Sequence, residues 1–315
     1  MVIFMRRIII FLMMSVFSIS TSLAAAVSES QWPRTFVNAD GSTTQIPRKP
    51  QKILSTTTTV TGTLVAIDAP VVASSTAGDG KFFAQWADIA KQRNIEQLWA
   101  VGSVDTEMAY AVMPDLIVVA ATGGDSVMDL VPELKLIAPV IIVDYGAQTW
   151  QELAVKLGFA TGREAFVEQK IAQFNDYLKN VKLNLPDTRA NIIAYNGPGI
   201  ANVIAKETGP HSELLHSLGF EIEGAKSEWE TFSDKRSDFV RAHYETLTML
   251  KAPMTFVIVA DDSKAQTVMN DPVLVNLPSV QKKQVYPLGL NSFRIDYYSS
   301  MEIVELMKRH FGMAK

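Results

Sequence analysis

The stretch GREAFVEQKIAQFNDYLKNVKLNL, from Gly162 to Leu185, decides how the rest of the chain is interpreted. Glycine opens it, Pro186 closes it, and its apolar residues recur at spacings of four and three: Val167, Ile171, Phe174, Leu178, Val181 and Leu185. Such spacing places them on one face of a helix. At about 1.5 Å per residue, roughly 22 residues reach about 33 Å, the width of a small domain. The pattern predicts one long helix, which either links two lobes or lies on the surface of one α/β domain.

Similar sequence patterns lie on both sides of this helix, which favours the interpretation that the helix links two lobes. Buried-strand patterns such as MPDLIVVAA (113–121) precede it, and TFVIVAD (255–261) follows it, each alternating with helical periods. This alternation predicts an α/β fold of two Rossmann-like lobes with parallel-rich central sheets, whose ligands lie at the carboxyl ends of the strands. The predicted boundaries are an N-terminal lobe at 27–160, the linker helix at 161–185 and a C-terminal lobe at 186–315.

Smaller elements follow from the same patterns. Residues 27–50 predict a hairpin, and Thr56 to Thr59 lie at a turn between a strand and a helix. Helical periods cover KFFAQWADIAKQRNIEQL (81–98), YETLTMLK (244–251) and the last helix from Ser299 to His310.

The first 26 residues have the layout of a secretory signal peptide. Arg6 and Arg7 precede the apolar run IIIFLMMSVF, and the small-residue segment SLAAA follows. We expect cleavage between Ala24 and Ala26 and export to the periplasm, with a retained membrane anchor as the alternative. Removing two positive charges moves the formal net charge from −4 to −6, and the sequence has no Cys. Such a chain is unsuited to bind nucleic acid or an anionic membrane through its net charge.

Motifs for enzymes and metal sites are missing from the sequence. There is no GxSxG elbow, GxGxxG fingerprint or phosphate-binding loop, and the four histidines are scattered at 211, 216, 243 and 310. We therefore expect no catalytic residues, no protein-bound metal and no cofactor, although an enzyme without a known motif remains an alternative.

The segment NSFRIDYYSSMEIVELM (291–307) carries the clearest chemical signal. It places Arg294 between Phe293 and the pair Tyr297 and Tyr298, at the start of the last predicted helix. An arginine among aromatic rings suits an anionic aromatic ligand, through charge-assisted hydrogen bonds and cation–π contacts. The alternative is an arginine that pairs with Asp296 or with a helix end.

Several motifs together resemble the ferric enterobactin-binding periplasmic proteins of Gram-negative bacteria: FRIDYYS, ILSTTTTVTGTLVAIDAPVVAS, MPDLI, ATGGDS, LIAP, IAQF and LPSVQKKQVYPLG. The resemblance covers nearly the whole mature chain. It implies a class III periplasmic binding protein fold, with two lobes joined by one long rigid helix. It also implies a monomeric, non-enzymatic component of an ABC importer that delivers a ferric catecholate siderophore to an inner-membrane permease. Iron would enter only as the siderophore complex, coordinated by siderophore oxygens.

The resemblance also suggests the ligand-binding residues. Arg294 in FRIDYYS and Arg236 in DKRSD match basic residues of the family. The other candidates are a cation, aromatic walls and hydroxyls of the Thr-rich turn: Lys81, Trp229, Phe293, Tyr297, Thr57 and Thr58. Trp86 is either a further wall or a core residue.

Two departures from the family pattern bear on the cargo. The segment TAGDGKFFAQW is short, with Lys81 as its only cation, and Ile204 stands where the family has Trp. The cargo is therefore enterobactin or a related catecholate. Haem, a corrinoid and a siderophore that the protein hydrolyses are the alternatives.

Two segments of the sequence share a pattern that begins with a glutamate. EMAYAVMPDLIVVA and YETLTMLKAPMTFVIVA each run from a Glu through helical turns and a Pro into a buried strand. The resemblance implies that Glu107 and Glu245 dock onto the permease, one from each lobe. The alternative is that each Glu only stabilises the first turn of its helix through the helix dipole.

Overall fold

The computed structural model describes residues 32–232 and 236–313. The predicted signal peptide lies outside these residues. The described part begins with the predicted hairpin, in which β1 (Arg34–Val37) pairs antiparallel with β2 (Thr43–Ile46). Alternate residues of both strands, including Phe36 and Ile46, are buried, so the hairpin packs one face onto the core.

The first central sheet is entirely parallel. Its strands are β3 (Ile53–Ser55), β4 (Val71–Thr76), β5 (Glu96–Ala100), β6 (Leu116–Ala120) and β7 (Val140–Val143). They lie in the order β5-β4-β3-β6-β7, so the chain reverses its direction of winding between β3 and β6. Ligands of open α/β sheets bind at this switch point, beyond the carboxyl ends of the strands.

Five α-helices accompany this sheet within the described residues: α1 (Thr58–Ala66), α2 (Ala84–Gln92), α3 (Thr106–Val112), α4 (Val131–Leu134) and α5 (Trp150–Thr161). The predicted helix at 81–98 is too long. It ends at Arg93 because Asn94 adopts a positive φ of 54°, and the following residues form β5 instead.

The predicted linker helix is shorter than the sequence pattern indicates. Gly162 does not open it but ends α5 in the left-handed conformation, and α6 runs over Glu164–Lys179, about 24 Å long. Beyond Asn180 the chain is extended, and Asn184 N–H donates to the Phe311 carbonyl at the end of the last helix. The residues 181–185 satisfy a period of two as well as a helical period, and this backbone pairing favours the extended form.

The second central sheet follows α6. Its strands are β8 (Arg189–Ala194), β9 (Asn202–Ala205), β10 (Glu221–Ile222), β11 (Phe239–Ala242), β12 (Met254–Val257) and β13 (Val285–Pro287). Their order is β11-β9-β8-β12-β13, with β10 beside the first residues of β8. In the described part of this sheet β9 runs antiparallel to β8 and β11, and the other pairings are parallel, so the sheet is parallel-rich and the predicted fold class is confirmed.

The α-helices in the described part of this half are α7 (Pro210–His216), α8 (Asp262–Met269), α9 (Pro278–Gln281) and α10 (Tyr297–Phe311). The last helix begins two residues before the predicted Ser299 because Asp296 and Ser299 form a capping box. The segment predicted as an α-helix at 244–251 is a 3₁₀-helix, Tyr244–Met249, closed by i to i+3 hydrogen bonds. None of the helices in the described part of the chain is long and apolar enough to cross a membrane.

One hydrophobic core joins the two sheets. It contains Ile53 and Leu116 from the first sheet and Ile192 and Phe256 from the second. From Trp32 onward the described residues form one compact unit. On α6, Phe174 lies edge-on to Trp150 of α5, with ring centroids 5.3 Å apart. A shared core of this kind resists relative rotation of the two halves.

We predict that ligand binding closes the cleft very little. The reason is that α6 and the shared core would have to repack if the two halves rotated, whereas a loop hinge would absorb the motion. Crystal structures with and without cargo should superpose within about 1 Å over Cα atoms, as in other pre-organised complexes. A wide rotation about α6 between the two structures would show the prediction to be wrong.

Candidate functional site

The candidate site is a cavity of about 150 Å³ at the switch point of the first sheet. Residues from both halves of the chain line it: Thr58, Thr59, Ala77, Gly78, Phe83, Val101, Gly124, Asp125, Arg236, Phe293 and Arg294. A second cavity of about 220 Å³ adjoins it and shares Val101, Gly124 and Asp125. Together the two cavities have a volume near the lower end of the roughly 300–1,000 Å³ that is typical of small-molecule sites.

Arg294 is the buried cation of the site. Its Nη1 donates to Oδ2 of Asp238 at 2.9 Å, and its guanidinium lies 4.5 Å from the ring centroid of Phe293 and 4.9 Å from that of Tyr145. Burial favours the neutral form, but Tyr145, Asp238 and Asp125 outweigh it and raise the pKa of Arg294. The side chain therefore stays charged beside the cavity. The partner predicted as an alternative, Asp296, instead caps α10.

Asp125 is a second buried charged residue that lines the cavity. Its two oxygens accept hydrogen bonds from Thr57 Oγ1 at 2.5 Å and from Tyr145 Oη at 2.8 Å. Burial raises the pKa of Tyr145; Arg294 opposes this, and the negative charge of Asp125 adds to it. Tyr145 is therefore a stable donor that joins the carboxylate to the arginine.

Arg236 enters the cavity from the loop between β10 and β11. It is half-buried, and its carbonyl oxygen accepts a hydrogen bond from Lys206 Nζ. The next residue, Ser237, donates through Oγ to Asp144 at the end of β7, at 3.1 Å. These contacts hold the loop across the cleft. The residues 233–235 of the same loop lie outside the described residues.

The structure brings together five of the predicted ligand-binding residues. Arg236, Arg294, Phe293 and Thr58 line the cavity, and Thr57 lies directly behind it through its bond to Asp125. Phe293 is partly exposed and meets Phe83 edge-on across the cleft, with ring centroids 6.3 Å apart.

The other three predicted residues do not line this cavity. Tyr297 packs against Trp150 and Phe174 because it begins α10 at the junction with α5 and α6. Trp229 is buried in the core of the second sheet. Lys81 closes the turn that contains Ala77, but its exposed side chain borders a separate open cavity beside α2.

Trp86 is a core residue, which was one of its two interpretations. Its ring centroid lies 4.9 Å from that of Phe82, and the side chain is buried.

The sequence reasoning missed Asp125, Tyr145 and Asp238. Asp125 lies in ATGGDS, a loop whose position after a buried strand marked it as a ligand-binding edge, so the signal was present. Tyr145 likewise lies just beyond the carboxyl end of β7, after Asp144. Asp238 carries no such signal, because only the fold brings it to Arg294.

His211 packs behind the site. Its Nε2 lies 2.8 Å from the Ser292 carbonyl oxygen, and its ring meets that of Phe239 at a tilt of 58°, with centroids 5.0 Å apart. Burial lowers the pKa of His211 from its usual 6.5 to about 4; the Ser292 bond and Asp238 oppose this, and Arg294 adds to it. The imidazole is therefore neutral at neutral pH.

We predict that His211 makes stability depend on pH. Its pKa is lower in the folded than in the unfolded state, so its contribution is complete above about pH 6.5 and is lost as the pH falls towards 4. The loss should be about 3 kcal/mol of unfolding free energy. Urea unfolding of the wild type and of His211→Gln at pH 7 and pH 4 measures it. An equal fall in both proteins would contradict the assignment.

The described residues contain no group of three or more His, Cys, Asp or Glu that could hold a metal ion.

Glu107 and Glu245 lie at equivalent places in the two halves. Glu107 is exposed in the first turn of α3, just after the carboxyl end of β5, and Asp105 caps that turn. Glu245 is exposed in the first turn of the 3₁₀-helix that follows the carboxyl end of β11. Both carboxylates thus lie beyond the carboxyl edges of their sheets.

The fold and this cleft between two α/β halves define a class of binding protein. The sequence matches the periplasmic binding protein family over residues 53–290, and the chain belongs to that family. The protein is periplasmic, and the expected resemblance is confirmed.

Individual relatives are more specific. The chain is 36% identical over 299 residues to the ferric enterobactin-binding periplasmic protein FepB of Escherichia coli O6:H1, covering 91% of this chain and 93% of FepB. It is 51% identical to ViuP in the crystal structure of its holo form, with a TM-score of 0.87 over 89% of this chain and 96% of that one. The periplasmic catecholate-siderophore binding protein VctP of Vibrio cholerae is 16% identical, covers 88% of this chain and 100% of its own, and has a TM-score of 0.62, which shows the fold alone.

Proposed function

We propose that this periplasmic binding protein captures a ferric catecholate siderophore, enterobactin or a close relative, and delivers it as a monomer to an inner-membrane ABC permease. The observation that carries the proposal is Arg294, charged and stacked between Phe293 and Tyr145 at the cavity. The relative FepB, whose name specifies ferric enterobactin, supports the same class of cargo.

The chemistry of the cavity fits such a cargo. Iron(III) bound by three catecholates is an anion with flat aromatic faces, and it needs cations and ring edges rather than further iron ligands. Arg236 and Arg294 offer the cations, while Phe83 and Phe293 offer aromatic surface. In this proposal the siderophore oxygens complete the coordination of iron, the protein contributes no metal ligand, and no cofactor or catalytic residue takes part.

A fluorescence titration tests the cargo class. The ring of Trp86 lies 6.4 Å from that of Phe83, and Trp99 lines the adjoining cavity, so a bound complex that absorbs light would quench both indoles. Ferric enterobactin or ferric 2,3-dihydroxybenzoylserine should quench at submicromolar concentration, whereas ferrioxamine B should not.

The alternatives give different results in the same experiment. Saturable quenching by haem or cobalamin with none by the ferric catecholates would replace the cargo with a tetrapyrrole. Chromatography of the siderophore after incubation would show shortened fragments if the protein were a hydrolase, and intact siderophore if it only binds.

A further inference from the structure

The first turn of α1 points to a second anion-recognition element, which the N-terminal half contributes to the cavity. Helix α1 has nine residues and begins at Thr58, directly after the carboxyl end of β3. Its first two residues, Thr58 and Thr59, both line the cavity. The amino end of a helix carries unpaired N–H groups and a partial positive charge.

This helix end is left open to a ligand. Thr57 is the residue whose side chain would normally cap the helix, but its hydroxyl donates to Asp125 instead. Val60 N–H and Thr61 N–H bond to the Thr57 carbonyl oxygen. The N–H groups of Thr58 and Thr59 have no acceptor within residues 32–232 and 236–313.

A second observation concerns the side chain of Thr58. The residue is 2% exposed, and its hydroxyl has no hydrogen-bond partner in the described part of the chain. A buried hydroxyl without a partner costs about 1–3 kcal/mol, so its place at a cavity wall suggests that a ligand satisfies it.

The charges around the cavity make this element necessary. Arg236 and Arg294 carry two positive charges, and Asp125 and Asp238 carry two negative charges, so the formal sum is zero. An anionic cargo therefore gains no net charge attraction from these four side chains. The amino end of α1 adds positive potential to the cavity without another charged residue.

We propose that the first turn of α1, through the Thr58 hydroxyl and the N–H groups of Thr58 and Thr59, binds a negatively charged oxygen of the cargo. The inference rests on the proposed function and names what the N-terminal half contributes to it. The cargo would lie between this turn and the arginines, with a catecholate oxygen towards each.

Substitutions at Thr58 test the element without disturbing the fold. Thr58→Val removes the hydroxyl, and Thr58→Ser keeps it. Thr58→Pro removes both the hydroxyl and the N–H at the first helical position, where proline is well tolerated, and Thr57 already has the extended conformation that a following proline requires. The control is Thr63→Val, because Thr63 in the same helix is also buried with an unpartnered hydroxyl in the described structure but does not line the cavity.

Affinity for ferric enterobactin and ferric 2,3-dihydroxybenzoylserine is the readout, with thermal melting beside it. We expect Thr58→Val to bind the cargo about 10-fold more weakly, Thr58→Pro more weakly still, Thr58→Ser to recover most of the affinity that Thr58→Val loses, and Thr63→Val to bind as the wild type does. Melting temperatures of the two Val variants should equal or exceed that of the wild type, because an unsatisfied hydroxyl is removed.

Different outcomes distinguish a failure of the α1 element from a failure of the proposed function. If the wild type binds these complexes and Thr58→Val and Thr58→Pro bind them equally well, the α1 element is refuted. If Thr58→Ser binds the cargo as weakly as Thr58→Val does, the lost affinity comes from the methyl group and not from the hydroxyl. This result would also refute the α1 element. If the wild type binds neither complex, the proposed function itself fails.

Discussion

Replacing Arg294 by alanine is expected to weaken the binding of a ferric catecholate by about 10- to 150-fold, equivalent to about 1.5–3 kcal/mol. The guanidinium supplies a charge-assisted contact in a largely desolvated pocket, and it holds the rings of Phe293 and Tyr145 beside the cavity. Arg236→Ala should produce a loss in the same range. Fluorescence titration of each purified variant measures both effects.

A double variant separates contact from charge balance. Arg294→Ala leaves Asp238 buried without its partner, which should also lower the unfolding free energy by about 3–5 kcal/mol. Arg294→Ala with Asp238→Asn should recover most of that stability but not the affinity. Arg189→Ala serves as the control, because Arg189 is exposed at the start of β8 and does not line the cavity. If both arginine variants fold and bind as the wild type does, the site has been misplaced.

Replacing both Glu107 and Glu245 by alanine is expected to abolish most siderophore-dependent iron uptake while leaving cargo affinity unchanged. The two exposed carboxylates lie on separate halves, beyond the carboxyl edges of the two sheets. In the proposed function they would meet cationic groups on the permease. Two separated charges set orientation and encounter rate more than affinity, so each single variant should lose less than the double variant. Uptake of radioactive iron by cells that carry each variant is the measurement.

Glu133 and Glu228 offer a matched control for this experiment, because both are exposed and each lies on the same half as one docking residue. Glu133 lies in the first turn of α4, and Glu228 lies in a 3₁₀ turn formed by Ser227–Trp229. The double variant Glu133→Ala and Glu228→Ala should transport as the wild type does. Normal uptake by the Glu107 and Glu245 double variant at normal periplasmic level would reject the docking surface. Loss of cargo affinity in that variant would instead place these residues in the binding site.

The α/β class and most strands could be predicted because buried parallel strands are continuous apolar runs. The segments around Leu116 and Phe256 are such runs, and both are central strands. The ends of helices and strands are harder to predict from the sequence. The end of α6 depends on a backbone pairing with Phe311, more than a hundred residues away in the sequence, which no local pattern contains.

The site also contains residues that the local sequence predicts and residues that only the fold brings together. Arg294 and Phe293 were found because neighbouring residues in one motif carried complementary chemistry. Tyr297 belongs to that motif too, yet the start of α10 directs it into the packing with Trp150. The Asp238 partner of Arg294 and the diversion of Thr57 to Asp125 are tertiary contacts, so only the folded chain shows them.

We propose that the cavity between the two halves holds a ferric catecholate through Arg294, Arg236 and the surrounding rings. A crystal structure of the protein with bound ferric enterobactin, with iron located from its anomalous scattering, tests this proposal. We expect iron in the cleft beside Arg294 and Phe293, coordinated only by siderophore oxygens. Iron bound elsewhere on the protein, or coordinated by a protein side chain, would contradict it.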